Sequence, residues 1–133
     1  MAQEIQKSDR VKQFIRQSLG CDCDESVFEQ IENDRGVKVG GARLANKINV
    51  GGRLLVYIVD APDGIFISDH LPALLEAGRN ERDRRQFNRF RIVIATDNPE
   101  GVRPVAEKIF DISPAVDEKV HLHVIDKPGV SGL

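Results

Sequence analysis

The chain has 133 residues, 41% hydrophobic and 30% charged, with a formal net charge of −2. That is one domain's length at ordinary globular composition, enough to bury a core without disulfides or a structural metal. Collagen-like, low-complexity and wholly disordered classes are excluded, and the near-neutral charge points away from nucleic acid and anionic lipid.

The polar stretch Met1 to Arg10 has no apolar core of a signal peptide. The longest apolar run, Leu54 to Val59, is six residues, too short to span a bilayer. The expectation is a cytoplasmic protein in a reducing compartment. Residues 1–8 read as a frayed N-terminus. Val11, Phe14, Ile15 and Leu19 recur at helical spacing, and Gly20 stands where a helix stops. Val27, Phe28 and Ile31 suggest a second helix, with Asp22 and Glu25, or Asp24 alone, as its cap. Together they predict a helical hairpin over 9–35, with Cys21-Asp22-Cys23 at its turn.

A sheet domain is expected over 36–126. Ala42, Leu44, Ile48 and Val50 share one parity, as in a half-exposed strand, and Gly51-Gly52 reads as a two-residue hairpin turn. The return strand, Arg53 to Asp60, is apolar on both parities and so buried on both faces. Pro62-Asp63-Gly64 is a turn signal. Ile65-Phe66-Ile67 then reads either as a short strand or as the entry to a helix marked by Asp69, Leu71, Pro72, Leu74 and Leu75. Arg91 to Thr96 is a second doubly buried strand. Asp97-Asn98-Pro99-Glu100 starts a helix with an apolar stripe through Val102, Val105, Ala106, Ile109 and Phe110. Val120 to Ile125 closes the series as a strand, and 127–133 is a Gly- and Pro-containing tail. Buried strands joined by helices imply right-handed parallel crossovers. The expected fold is therefore α/β (or α+β): a small mixed sheet of four to five strands with an antiparallel edge hairpin and an N-terminal helical hairpin.

Three constellations bear on function. The first is the pair Cys21 and Cys23, the chain's two cysteines. A disulfide across one residue closes a strained ring, so the pair reads as free thiols, a metal chelate or a redox couple. The acidic surroundings, Asp22, Asp24, Glu25, Glu29, Glu32 and Asp34, raise thiol pKa and favour a bound cation, zinc or iron. His121 and His123, on one face of a strand, are the candidate co-ligands of a Cys₂His₂ set. The leading expectation is thus a non-catalytic protein that binds metal or exchanges thiols at this turn.

The second constellation is Asp60, Asp97 and Asp126, each at the end of an expected strand. In parallel array they share the edge where open α/β folds bind ligands, a place for Mg²⁺-dependent phosphate chemistry, with Asp63 and Asn98 nearby. Asp is equally the ordinary residue for leaving a strand. The third is the run Arg79, Arg82, Arg84, Arg85, Phe87 and Arg89, continuing to Phe90 and Arg91. It reads as a solvated face or as a protein contact complementary to the acidic hairpin, within one chain, between two copies or with another protein.

Overall fold

The computed structural model describes residues 10–20, 28 and 30–133. Its sheet strands are β1 (Ile31–Arg35), β4 (Asn46–Val50), β5 (Leu54–Asp60), β6 (Arg89–Thr96) and β7 (Val120–Asp126), in the spatial order β1-β4-β5-β6-β7. β2 (Lys38–Val39) and β3 (Ala42–Arg43) form a separate two-stranded antiparallel ribbon. β1, β4 and β5 pair antiparallel, while β5, β6 and β7 pair parallel. Helices α1 (Gly64–Arg85) and α2 (Pro99–Ile112) make the two crossovers. The fold is mixed α/β, as the pattern of buried strands and intervening helices implies. No helix among the described residues is long and apolar enough to cross a membrane.

β5 is buried along its length except at Asp60. Its alternate side chains enter two different cores. Leu55, Tyr57 and Val59 pack with Phe90, Ile92 and Ile94 beneath α1 and α2. Leu54, Val56 and Ile58 pack on the opposite face with Ile48, Val50 and Val93. That second face is covered by the N-terminal helical segment, whose Val11, Phe14, Ile15 and Leu19 are all buried. At about 2 kcal/mol for each fully buried aliphatic or aromatic side chain, this docking is part of the fold. Ile125, Val130 and Leu133 complete the core. Arg10 clamps the segment to the following tail, its Nε donating to Ser131 O at 3.0 Å and its Nη2 to Gly129 O at 2.9 Å. Leu133 O in turn accepts from Asn33 and Arg35 of β1.

Five local expectations change. Residues 31–35, placed by the sequence in a second helix and outside the sheet domain, are the edge strand β1. Their polar side chains pair across the sheet, Asn46 Nδ2 donating to Asn33 Oδ1 at 2.9 Å and Asn49 Nδ2 to Glu32 Oε1 at 2.5 Å. The single strand expected over Ala42 to Val50 is broken at Leu44–Ala45, because Ala42 and Leu44 serve the helix-covered core whereas Ile48 and Val50 serve the other. The β4–β5 connection holds three residues, Gly51–Arg53, with left-handed φ at Gly51 (62°) and Gly52 (69°). α1 starts at Gly64, well before Asp69, since Asp63 Oδ1 accepts from Phe66 N at 2.9 Å. Pro72 is tolerated inside it because it lies on the exposed side, where the carbonyl it leaves unpaired can turn to water. The cap of α2 is Asn98, not Asp97, with Asn98 Oδ1 accepting from Gly101 N at 3.2 Å.

Gly78 in the middle of α1 has a packing reason. A Cβ there would lie 2.0 Å from the Phe90 ring. Ordinarily Gly→Ala in a helix interior gains about 1 kcal/mol, but overpacking a closed core costs roughly 1–3 kcal/mol. Gly78→Ala is therefore expected to lower the urea midpoint at unchanged slope; a raised midpoint would show that Phe90 yields without strain.

Candidate functional site

Cys21 and Cys23 lie outside the described residues, and the buried residues that flank them in the described chain are Leu19 and Phe28. Leu19 is 4% exposed and Phe28 9%, both in the second core. The helix that leads toward the cysteines widens in its last turn, Phe14–Ser18, into a π-turn closed by Leu19 N donating to Phe14 O at 3.2 Å. Such turns recur at functional sites. The Phe28 ring sits under the Arg16 guanidinium at 4.9 Å and the Lys12 ammonium at 5.8 Å.

His121 and His123 project from β7 on the same sheet face as that segment, since they share the parity of Ile125, which packs into the second core. Each meets an arginine of β6. Arg89 Nη1 lies 3.2 Å from His121 Nε2, and Arg91 Nη1 lies 2.9 Å from His123 Nε2. A guanidinium can only donate, so both Nε2 atoms accept and the ring protons sit on Nδ1. Burial first, then Arg91 and His121, pushes His123 down to about 4. Burial, Arg91 and Arg89 lower His121, with Asp117 opposing. These imidazoles are neutral near pH 7, but their Nε2 atoms are engaged and guanidiniums stand in a cation's way. Among the described residues no group of three or more His, Cys, Asp and Glu side chains could hold a metal ion.

The strand-end aspartates do share one edge, because β5, β6 and β7 are parallel. They do not share one face. Asp60 has the parity of Val56 and Ile58, which point into the second core, whereas Asp126 has that of Val120 and Val124, which point toward the helices. Their strands are two apart, about 10 Å at the usual spacing. Asp97 is exposed and pairs with Lys127 at 3.6 Å. The cluster imagined for Mg²⁺ is split by the pleat.

One arginine of the run, Arg82, turns fully inward, and two others make local contacts. Arg79 donates to Pro114 O at 3.1 Å. Arg82, 5% exposed, holds Asp117 with two hydrogen bonds of 2.7 and 2.6 Å and also reaches Asp83. Arg85 bonds Glu81 at 2.8 Å, and Phe87 is a core residue. Arg84 is exposed. Arg79 and Arg82 thus tie α1 to the segment before β7, while Arg84, Arg85 and Arg89 stay on the surface.

Two groupings escape sequence reading. Glu81, buried on α1, accepts from Tyr57 at 2.5 Å, Arg85 at 2.8 Å and Lys47 at 2.6 Å. Burial pushes its carboxyl up, yet the hydrogen bonds from Lys47, Tyr57 and Arg85 outweigh burial and hold it below the ordinary value. The other is Arg91 with Arg103, which line one cavity beside β7. Their one signal in the sequence is the clustering of arginine near β6; Arg103 sits unmarked on the polar side of α2. Compared with known proteins, the chain matches no family model, no curated protein and no solved structure.

Arg82 and Asp117 make the clearest pH-dependent contact. Hydrogen bonds from Arg82 hold the Asp117 carboxyl well below the usual carboxylate range, against some burial and with help from the Lys119 amide. A folded pKa below the unfolded value means stabilisation that is complete well above pH 4 and lost as pH falls. Breaking a buried pair costs several kcal/mol; with the Asp117 side chain 34% exposed, Asp117→Asn should cost about 2 kcal/mol at pH 7. Urea midpoints at pH 7 and pH 3 check this: the gap between parent and variant should narrow in acid, and a constant gap would show that the ionised pair is not the source.

Proposed function

We propose that this protein is a non-catalytic binder that uses Cys21 and Cys23 to hold a thiophilic metal ion, zinc or iron, or to exchange thiols with a partner protein. The observation that carries the reading is the double anchoring of the cysteine segment. Leu19 before it and Phe28 after it in the sequence are both buried in the second core. Holding both ends of a segment reduces its free conformations, which lowers the entropy lost when two ligands on it chelate. The acidic residues around the pair favour a cation over an activated thiolate. His121 and His123 are not needed as ligands in this reading, since their Nε2 atoms serve Arg89 and Arg91.

The other two readings of the sequence have less support. A contact surface along Arg79 to Arg91 would have to use side chains that already bind Asp117, Glu81 and Pro114. Magnesium chemistry at Asp60, Asp97 and Asp126 would need carboxylates that the sheet directs to different faces.

Elemental analysis of the full chain, purified anaerobically without chelator, tests the proposal together with a free-thiol count. The expected result is stoichiometric zinc or iron with protected thiols, or thiols that exchange readily with a model disulfide. Cys21→Ser with Cys23→Ser should abolish either property and leave the thermal midpoint within about 3 °C, the shift expected from less than 1 kcal/mol in a domain of this size. Inert thiols with no metal, or metal retained by the double variant, would overturn it.

A further inference from the structure

β7 is the outer strand of the sheet, and among the described residues no strand pairs with its far side. Phe90 N donates to Lys119 O at 3.0 Å, so the odd-numbered backbone groups face β6. The even-numbered ones turn outward, and Val124 O accepts from Arg103 Nη2 at 3.0 Å. The backbone N–H of Leu122, two residues earlier, therefore faces the same open side. A cavity of about 370 Å³ wraps this side of the strand, with Arg91, Arg103, His121, His123, Phe110 and Glu107 in its wall.

Arg91 is the anomaly. It is half-buried, its Nε is buried with no hydrogen-bond partner, and its Nη1 donates to the neutral ring of His123 at 2.9 Å. Among the described residues, the charge that acts on it most is Arg89, which repels it. A guanidinium does not shed its proton, and buried charges in proteins are as a rule paired. Arg82, the buried arginine of the run, has the carboxylate of Asp117; half-buried Arg91 has an imidazole that fixes its orientation and supplies no charge. Arg103 shares the cavity and spends one donor on a carbonyl. Arg91 and Arg103 share the cavity wall with one carboxylate, Glu107, and Arg89, set against His121, stands near enough to repel Arg91, so positive charge is in excess there and suits a dianion better than a single carboxylate.

We propose that the cavity beside β7 binds a phosphomonoester, with its phosphoryl oxygens against Arg91 and Arg103 and its organic part against Phe110. Planar guanidiniums suit phosphate oxygens by paired, charge-assisted hydrogen bonds. The cavity exceeds a bare phosphate, and the Phe110 ring, Val120 and Leu122 give it an apolar wall. His123 is a positioning residue, holding Arg91 through Nε2. The site uses neither cysteine and is independent of the reading above.

Calorimetric titration of the full chain at fixed ionic strength, with phenyl phosphate, inorganic phosphate and benzoate as probes, tests this. Saturable one-to-one binding of phenyl phosphate is expected, tighter than inorganic phosphate and much tighter than benzoate. Arg91→Met and Arg103→Gln should each weaken it about tenfold or more, while Arg84→Gln, on the exposed end of α1, should leave it unchanged. Should Arg91→Met fail to fold, Arg103→Gln carries the test, because that side chain is exposed. Absence of saturable phenyl phosphate binding, benzoate binding as tight, or affinity indifferent to both substitutions would overturn the proposal. Equal affinity for inorganic phosphate would overturn the ester and leave free phosphate as the ligand.

Discussion

Burial of β5 on both faces is the condition on which the rest of the structure depends. Leu55, Tyr57 and Val59 need one cover, and Leu54, Val56 and Ile58 need another. Two right-handed crossovers that advance in the same direction along a sheet place both helices on one side. α1 and α2 accordingly cover a single face, and neither can protect the other. That second cover comes from outside the crossover units: a helical segment before the sheet and a tail after β7, tied together by Arg10. Leu19 and Phe28, which flank the cysteines in sequence, both belong to the core that this arrangement closes.

Charge inside this fold is handled in two ways. Glu81 collects three donors from α1, β4 and β5, and Arg82 collects two aspartates, so each buried charge stands within a closed group of partners. Such groups fix the seating of α1 on the sheet more than they add to net stability, because desolvation offsets much of the attraction. Arg91 breaks the pattern. It is held by a neutral ring and faces an open cavity, which is the arrangement of a receptor for charge rather than of a strut.

How much of this was legible depends on the range of the forces involved. The doubly buried strands could be read at Leu54 to Val59 and at Ile92 to Ala95, since an unbroken apolar run between turn residues has few other uses. The α2 start was readable to within one residue because its cap is made by neighbours. β1 was not readable. Ile31-Glu32-Asn33-Asp34-Arg35 has little strand character of its own and is held by Asn46, Asn49 and the Leu133 carbonyl. The entry to α1 was obscured by Ile65 and Ile67, which favour strands locally and yield to the Asp63 cap. At the candidate sites the residue types were visible and the partnerships were not. Arg82 finds Asp117 35 positions away, and Arg91 finds His123 32 positions away. The split of the aspartates followed from strand parity, but only once the parallel register was known.

The tail strap also has a consequence in time. Val11, Phe14 and Ile15 are among the first residues of this core to be made, and Ile125, Val130 and Leu133 among the last. The second core thus joins the most distant stretches of the described chain, the kind of contact whose closure entropy makes it slow to form. During synthesis the helix-covered half can assemble as soon as β7 emerges, while the opposite face of β4 and β5 waits for residues 125–133. Until then the nascent chain presents an apolar sheet surface, Ile48, Val50, Val56 and Ile58 among it, with the N-terminal segment as its one early shield. Leu19 and Phe28, on either side of the two cysteines in sequence, belong to the core that closes last.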